Sequence, residues 1–289
     1  MFIKYRVKLL LLKNLFIFTK NYSLSYYFSR FANNLQQIAI GILYAEKIKG
    51  NFYSPPHPLI NSFSVINSNF FKKFSLVKKH YRFFYFTKPN DFPDGVVTEI
   101  YIESNIQRVF QDSIKKEIPF LEERPPKDNE LIFHIRSGDI FTNFKNDYFQ
   151  NPINFYDKII EKFEKTIVVT SEEMNNPIIQ YLKTISKVEF HSSTIKEDFN
   201  ILYNAVNLAT SGVGTFPIAA ALMSNNLKNI YYSNLFLKEH LNPKMILSDQ
   251  ITHHKFYVSD EYKLQYQDEK NINQLILDSN IKVDSDPIY

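Results

Sequence analysis

From residue 131 onward, apolar runs alternate with stretches of helical spacing. The runs predict strands over 131–136, 166–170, 187–191, 207–210 and 229–232, and the stretches between them predict helices over 154–165, 175–185, 195–204 and 215–224. Strands alternating with helices of this length mean βαβ units, a parallel sheet and right-handed crossovers. The first strand turns polar within a few residues: His134, Arg136, Ser137, Gly138 and Asp139 cluster where it should end. Ligands of open α/β sheets bind just beyond the carboxyl ends of strands. A guanidinium fork, a hydroxyl and a glycine that lets the backbone come close make an anion site. His134 and Arg136 are two apart and share a face, where a polar pair is costly without a ligand or partner. An ordinary turn, with Gly138 at positive φ and Asp139 capping the next segment, is the alternative.

Upstream the pattern is less regular. Leu35, Ile38, Ala39, Ile42 and Ala45 predict a helix over 32–49 that Gly50 stops, with Asn33 and Asn34 in its first turn. Residues 51–54 and 81–87 read as short strands, and 105–117 as a helix through Ile106, Val109, Phe110 and Ile114. Residues 63–79 read as a solvated helix face or part of an acceptor groove. The charged, proline-bearing stretch 122–128 has no apolar period and reads as the linker between an N-terminal lobe, 1–125, and a C-terminal lobe, 126–289. Residues 1–20 are basic and apolar, broken by Lys13 and Asn14, with no small-x-small cleavage site and too short a run to span a bilayer. They form either a first strand or helix, or a basic amphipathic segment in peripheral contact with an anionic membrane face. From Leu235 the tail is polar. His253-His254 and Asp260-Glu261 lack metal-ligand spacing, and Asp284-Ser285-Asp286 spells D-x-D with no sheet expected to present it, so no metal site is expected.

Composition narrows the class. At 289 residues, 44% hydrophobic and 16% aromatic, the chain can bury one large or two modest cores. A net charge of +4 suits an anionic small molecule and is too weak to argue for nucleic acid. With no cysteine there is no disulfide, thiol nucleophile or Cys-based zinc site.

Three separated stretches then resemble one family in the right order. His134-Ile135-Arg136-Ser137-Gly138-Asp139 resembles the H-x-R-x-G-D signature of the GDP-fucose-dependent fucosyltransferases (the α1,2-, α1,6- and protein O-fucosyltransferase superfamily). Tyr148, Gln150, Phe155 and Tyr156 follow it at the spacing of Y-x-Q-P-P-x-x-F-Y in a bacterial and fungal branch, where the aromatics either pack a helix or touch sugar. Ser29-Arg30-Phe31-Ala32-Asn33-Asn34 resembles the family's G-R-F-G-N-Q loop, with Ser29 and Ala32 where glycines are usual. Asp198-Phe199, Ser211, Thr215 and Phe216 resemble the later motifs, with Gly214 in place of a usual serine.

The resemblance implies a GT-B-like α/β enzyme, two Rossmann-like lobes facing across a cleft. It implies inverting, metal-free transfer of L-fucose from GDP-fucose to a glycan hydroxyl, with no cofactor beyond the donor substrate. Arg136, His134 and Asp139 are the catalytic candidates. Donor binding falls to Asn33, Arg136, Ser137, Gly138, Asp198 (toward guanine), and Gly214, Thr215 and Phe216 (toward the phosphates), with Thr215 also able to cap its helix. The general base stays open, Asp139 serving either as base or as the partner of Arg136. A cytoplasmic enzyme of surface-glycan synthesis, peripheral at the inner membrane face, fits by analogy. The rivals are the same fold with another nucleotide-sugar donor, a catalytically silent relative, and a phosphate enzyme of P-loop type, which the missing Gly-Lys-Ser/Thr disfavours.

Overall fold

The computed structural model describes residues 21–24, 26–27, 29–66, 79–81, 97–142, 148–173, 175–268 and 271–285. The chain forms two compact units, Met1–Pro119 and Phe120–Tyr289. Both are mixed α/β.

In the first unit β1 (Asn21–Leu24) leads to α1 (Phe31–Lys47), β2 (Asn51–Tyr53), β3 (Ser64–Ile66) and β4 (Lys79–Tyr81), and the sheet order is β3-β2-β1-β4. β1 runs parallel to β2 and β4, and β3 is antiparallel. α1 is buried nearly all round, as expected of a core helix whose apolar residues are not confined to one stripe. Its stop lies one residue before the predicted one. Lys49 takes φ 54°, its N–H donates to Glu46 O, and the Gly50 N–H reaches Ala45 O at 2.7 Å, the Schellman pairing. α2 (Glu99–Val109) begins earlier than the apolar period suggested, because Thr98 caps it by accepting from the Tyr101 N–H. It then loosens into a π-turn at Phe110–Ile114 and a 3-10 turn at Lys115–Glu117. Of the stretch 63–79, the described parts are strands, β3 and the start of β4, not a helix face. The reading of residues 1–20 lies outside the described residues, as does most of the strand expected at 81–87.

The second unit holds β5 (Glu130–His134), α3 (Asp139–Thr142), α4 (Ile153–Ile160), β6 (Lys165–Val169), α5 (Pro177–Leu182), β7 (Val188–His191) and α6 (Ile195–Tyr203). It continues with β8 (Asn207–Thr210), α7 (Thr215–Met223), β9 (Asn229–Ser233), β10 (Thr252–Val258), α8 (Asp260–Asp268), α9 (Ile272–Ile276) and β11 (Val283–Ser285). The sheet order is β11-β10-β9-β8-β5-β6-β7, parallel except for β11. Numbered from β5, the parallel strands run 3-2-1-4-5-6, the order of a doubly wound, Rossmann-like sheet, whose direction of winding reverses between β5 and β8. Leu131, Phe133 and Ile135 alternate into a core shared with α4, α5 and α8. His134 therefore faces the other layer, where Phe199 of α6 and Phe216 of α7 pack.

The polar tail carries strands. β10 is an inner strand, and β11 carries Asp284 in register with Tyr257. The D-x-D thus begins on a sheet after all, although Asp286 lies outside the described residues. The stretch 122–128 is likewise no free linker, because it belongs to the second unit and is laced to α6. Asn200 accepts from the Glu122 N–H (3.0 Å) and donates to Phe120 O (2.7 Å); Asn204 accepts from the Arg124 N–H (2.7 Å) and donates to Glu122 O (2.8 Å). Four helical residues rise about 6 Å and two extended ones about 6.6 Å, so side chains at i and i+4 match successive extended pairs. Asn226 and Asn225 fasten the same stretch through Arg124 O and Glu123. Among the described residues no helix is long and apolar enough to cross a membrane.

Candidate functional site at the β5–β8 switch point

The strand order leaves a crevice at the carboxyl ends of β5 and β8, where crossovers leave toward opposite faces. The loops at this point are knitted together. The Ser211 N–H donates to His134 O at 3.2 Å, and the Arg136 N–H donates to Ser211 Oγ at 3.2 Å. Asn176, fully buried, donates to Arg136 O at 2.9 Å while its Oδ1 caps α5 through the Ile178 N–H. A β-bridge joins Gln150 to Gly212. Gly212 takes φ 106°, and a side chain there would meet Phe149 O at 2.8 Å and Leu235 O at 3.2 Å. Tyr262 Oη donates to Gln150 O at 2.7 Å and Tyr266 Oη to Tyr148 O at 3.2 Å, so helix α8 buttresses the loop that faces the switch point.

Arg136 lies with its guanidinium carbon 5.0 Å from the centre of the Tyr148 ring. A ring below a guanidinium attracts its charge and restrains its position. Phe155 and Tyr156, which complete that motif, are fully buried core residues, so of the two readings of these aromatics helix packing holds for this pair.

His134 packs against Phe216 with ring centres 5.7 Å apart, and its Cε1 comes within 4.0 Å of the Cβ position of Gly214. The ring keeps a small exposed edge but is enclosed by protein over the range at which charge is felt. That desolvation, with the Arg136 charge beside it, lowers its pKa from 6.5 to about 3. His134 is therefore neutral near pH 7, and folding disfavours its protonation. Below pH 6.5 the unfolded chain binds a proton that the folded chain refuses. Stability should fall as pH drops from 6.5 toward about 3, with a slope of up to about 1.4 kcal/mol per pH unit from this residue. Urea unfolding between pH 7.5 and pH 4 should show a flatter dependence for His134→Gln than for the wild type; equal slopes would exclude His134 as the source.

The second side of the crevice is the N-terminus of α7. Gly214 is the N-cap and offers no side-chain cap, and the first turn holds no acidic residue. Thr215 is the first helical residue and not the cap expected of it. Phe216 follows, and Pro217 sits where one backbone donor is forgone. The helix end presents N–H groups and a partial positive charge, with Arg136 across the switch point.

Ser137 and Gly138 behave otherwise than expected of donor contacts. The Ser137 hydroxyl donates to Asn175 Oδ1 (2.8 Å) and accepts from the Asn176 N–H (3.0 Å), and the side chain is buried. The Gly138 N–H donates to Asn175 Oδ1 at 2.6 Å. Gly138 takes φ 74°, and the Glu173 carboxylate would lie 3.0 Å from any Cβ there. Both residues thus lock the β5–α3 turn onto the β6–α5 loop. A carboxylate at that glycine also repels an anion. Asp139 opens α3, and its side chain lies outside the described residues.

Asp198 lies in the first turn of α6, two strands from β5. It accepts from the Ser193 N–H at 3.1 Å and stands 3.4 Å from His191 Nε2. Burial raises its pKa, against the lowering pull of His191 and the Ser193 N–H. In the first unit, Asn33 lies in the opening turn of α1 and donates to Ser29 Oγ at 2.9 Å. Ser29 holds φ 64°, the left-handed region that glycine enters most readily.

The sequence reading missed Tyr148 as the platform of Arg136, Asn175-Asn176 as the clamp on the turn, and Ser211 as the brace between the loops. Paired asparagines just before Pro177 were the one visible signal, since asparagine favours caps and turns.

The fold and this switch point define the class as a doubly wound α/β protein with a candidate anion site. Comparison with protein-family models, with curated proteins and with solved structures gives no match.

Proposed function

We propose that the protein is a sugar-nucleotide-dependent glycosyltransferase that moves a sugar, L-fucose from GDP-fucose, onto a glycan hydroxyl with inversion. What supports the reading most is the meeting, at one topological switch point, of Arg136 on its tyrosine platform and the α7 N-terminus without a side-chain cap. That is the chemistry a diphosphate requires. The three motifs that resemble the fucosyltransferases supply the donor class, and in this reading the two units are the lobes of a GT-B-like enzyme.

The reaction breaks the bond between the sugar's anomeric carbon and the β-phosphate oxygen and forms one from that carbon to the acceptor oxygen, whose proton leaves to a base. Negative charge grows on the departing phosphate, so fixed donors there lower the barrier most. Arg136 and the α7 N–H groups fill that role. Neutral His134 shapes the pocket and adds no positive charge of its own. The nucleoside extends over β6 toward β7 and Asp198, a span of about 10 Å across two strand spacings. Asn33 and the left-handed Ser29 belong to the acceptor-side lobe.

Calorimetric titration with GDP-fucose, GDP-mannose and UDP-sugars, with and without EDTA, tests this. EDTA-insensitive binding of GDP-fucose, with slow release of GDP, is the expected result. Preference for another nucleotide would keep the transferase and change the donor. No nucleotide binding by folded protein would overturn the reading.

A further inference from the structure

Helix α8 takes no part in the chemistry above except to hold a loop, yet its bonds converge on one residue of the site. Tyr262 and Tyr266 lie one helical turn apart on its buried face, with ring centres 5.9 Å from each other. Burial raises the pKa of both phenols, so each hydroxyl keeps its hydrogen and donates at neutral pH. They donate to two carbonyls of one loop, 112 and 118 positions away in the chain. From those carbonyls two separate routes lead to Arg136.

The first route ends on the guanidinium. Tyr266 Oη holds Tyr148 O at 3.2 Å, and its ring packs against Phe149 at 5.3 Å. This fixes the backbone from which the Tyr148 ring reaches Arg136, and the same ring packs edge-on with His240 at 6.4 Å. The second route ends on the Arg136 main chain. Tyr262 Oη holds Gln150 O at 2.7 Å. The Gln150 side chain is fully buried; it donates to Phe149 O at 3.1 Å and accepts from Asn176 Nδ2 at 3.4 Å. The same Asn176 amide donates to Arg136 O at 2.9 Å. An interior carbonyl deprived of its donor is costly, so the loop shifts when either phenol oxygen is removed. We propose that Tyr262 and Tyr266 are positioning residues whose hydroxyls set where the Arg136 guanidinium stands, one through Gln150 and Asn176 and the other through Tyr148. The effect on turnover rests on the transferase reading above; the placement of the guanidinium does not.

Tyr262→Phe and Tyr266→Phe keep both rings and delete only the bonds. The first test reads Arg136 directly. Its Nε is buried, which slows exchange of the hydrogen it carries, so the Nε–H signal is followed by NMR in protein labelled with 15N-arginine. Arg136→Lys assigns the signal, and Tyr148→Leu marks its position without the ring current of Tyr148. Each Tyr→Phe variant should move the signal toward that position, while Leu264→Ala, on the exposed side of α8, should leave it in place. A signal unmoved in either variant would overturn the role of that tyrosine. Circular dichroism and urea unfolding confirm that each variant folds. The second test is a double-mutant cycle on turnover of GDP-fucose. Tyr266→Phe should lower the rate by about threefold to tenfold in the wild-type background and cause no further loss in Arg136→Ala. An equal fractional loss in both backgrounds would reduce Tyr266 to packing and overturn its positioning role. If no nucleotide binds to folded protein, the transferase reading falls and the Arg136 signal alone decides the inference.

Discussion

Arg136→Ala should lower turnover of a GDP-sugar by about 30- to 1,000-fold, equivalent to about 2–4 kcal/mol of transition-state stabilisation. The argument is electrostatic. A guanidinium offers donors in a rigid fork that matches two phosphate oxygens, and this one lies over the Tyr148 ring, which fixes its plane. Its backbone is fixed as well, through Ser211 Oγ and the Asn176 side chain. The fork therefore needs little reorganisation when charge grows on the leaving phosphate. Arg136→Lys keeps the charge and loses the fork, so it should recover only part of the loss. Initial rates with GDP-fucose and GDP affinity by calorimetry read both variants. A variant with wild-type rate would remove Arg136 from the chemistry. Loss of affinity without loss of turnover at saturation would make it a binding residue only.

Gly212→Ala should be the most destabilising single-methyl change at the site, costing about 3 kcal/mol or more. It would force an L side chain to φ 106°, a region alanine rarely enters, and drive its Cβ to 2.8 Å from Phe149 O and 3.2 Å from Leu235 O. Both obstacles are backbone carbonyls, so neither can rotate away. The segment that must yield is the Gln150–Gly212 bridge that α8 buttresses, so nucleotide binding should fall with stability. Gly214→Ala gives the contrast. That residue is extended at φ 175°, and a Cβ would meet Pro217 Cδ at 3.9 Å and His134 Cε1 at 4.0 Å, ordinary contact distances. Its stability should stay within about 0.5 kcal/mol of wild type, while the added methyl crowds the mouth of α7 and weakens diphosphate binding. Urea unfolding curves and GDP titrations on both variants separate the two effects. Equal stability of Gly212→Ala and wild type would show that the loop can relax away from both carbonyls.

Much of the second unit was legible because its signal is local. β5, β6, β8 and β9 are short apolar runs, and α6 and α7 lie between them at helical spacing. Their observed bounds differ from the sequence reading by at most two residues. β1, β3, β10 and β11 were not read. β1 is four residues, β3 and β11 are three, and β10 opens with Thr252, His253, His254 and Lys255. Such segments become strands because a neighbour supplies the ladder and a cover. His254 stacks on Tyr231 with ring centres 4.3 Å apart and bonds Asn229 at 3.0 Å, contacts between residues far apart in the chain. The stretch 122–128 read as a linker for the same reason. Its backbone groups are satisfied by Asn200 and Asn204, some 80 positions away.

The candidate site divides along the same line. Residue types alone indicated that β5 ends in a polar cluster bearing a guanidinium and that a glycine-bearing turn leads into α7, because charge, donor geometry and turn preference belong to the residue itself. Only the tertiary structure decided what each member of the cluster touches. It spent Ser137 and Gly138 on Asn175 and Asn176, slid Tyr148 beneath Arg136, and silenced the charge of His134 by burial. It also set β5 beside β8, so that two stretches more than seventy residues apart share one crevice. Hydrogen-bond satisfaction, desolvation and strand order depend on what lies across space, and a sequence read along the chain does not contain that distance.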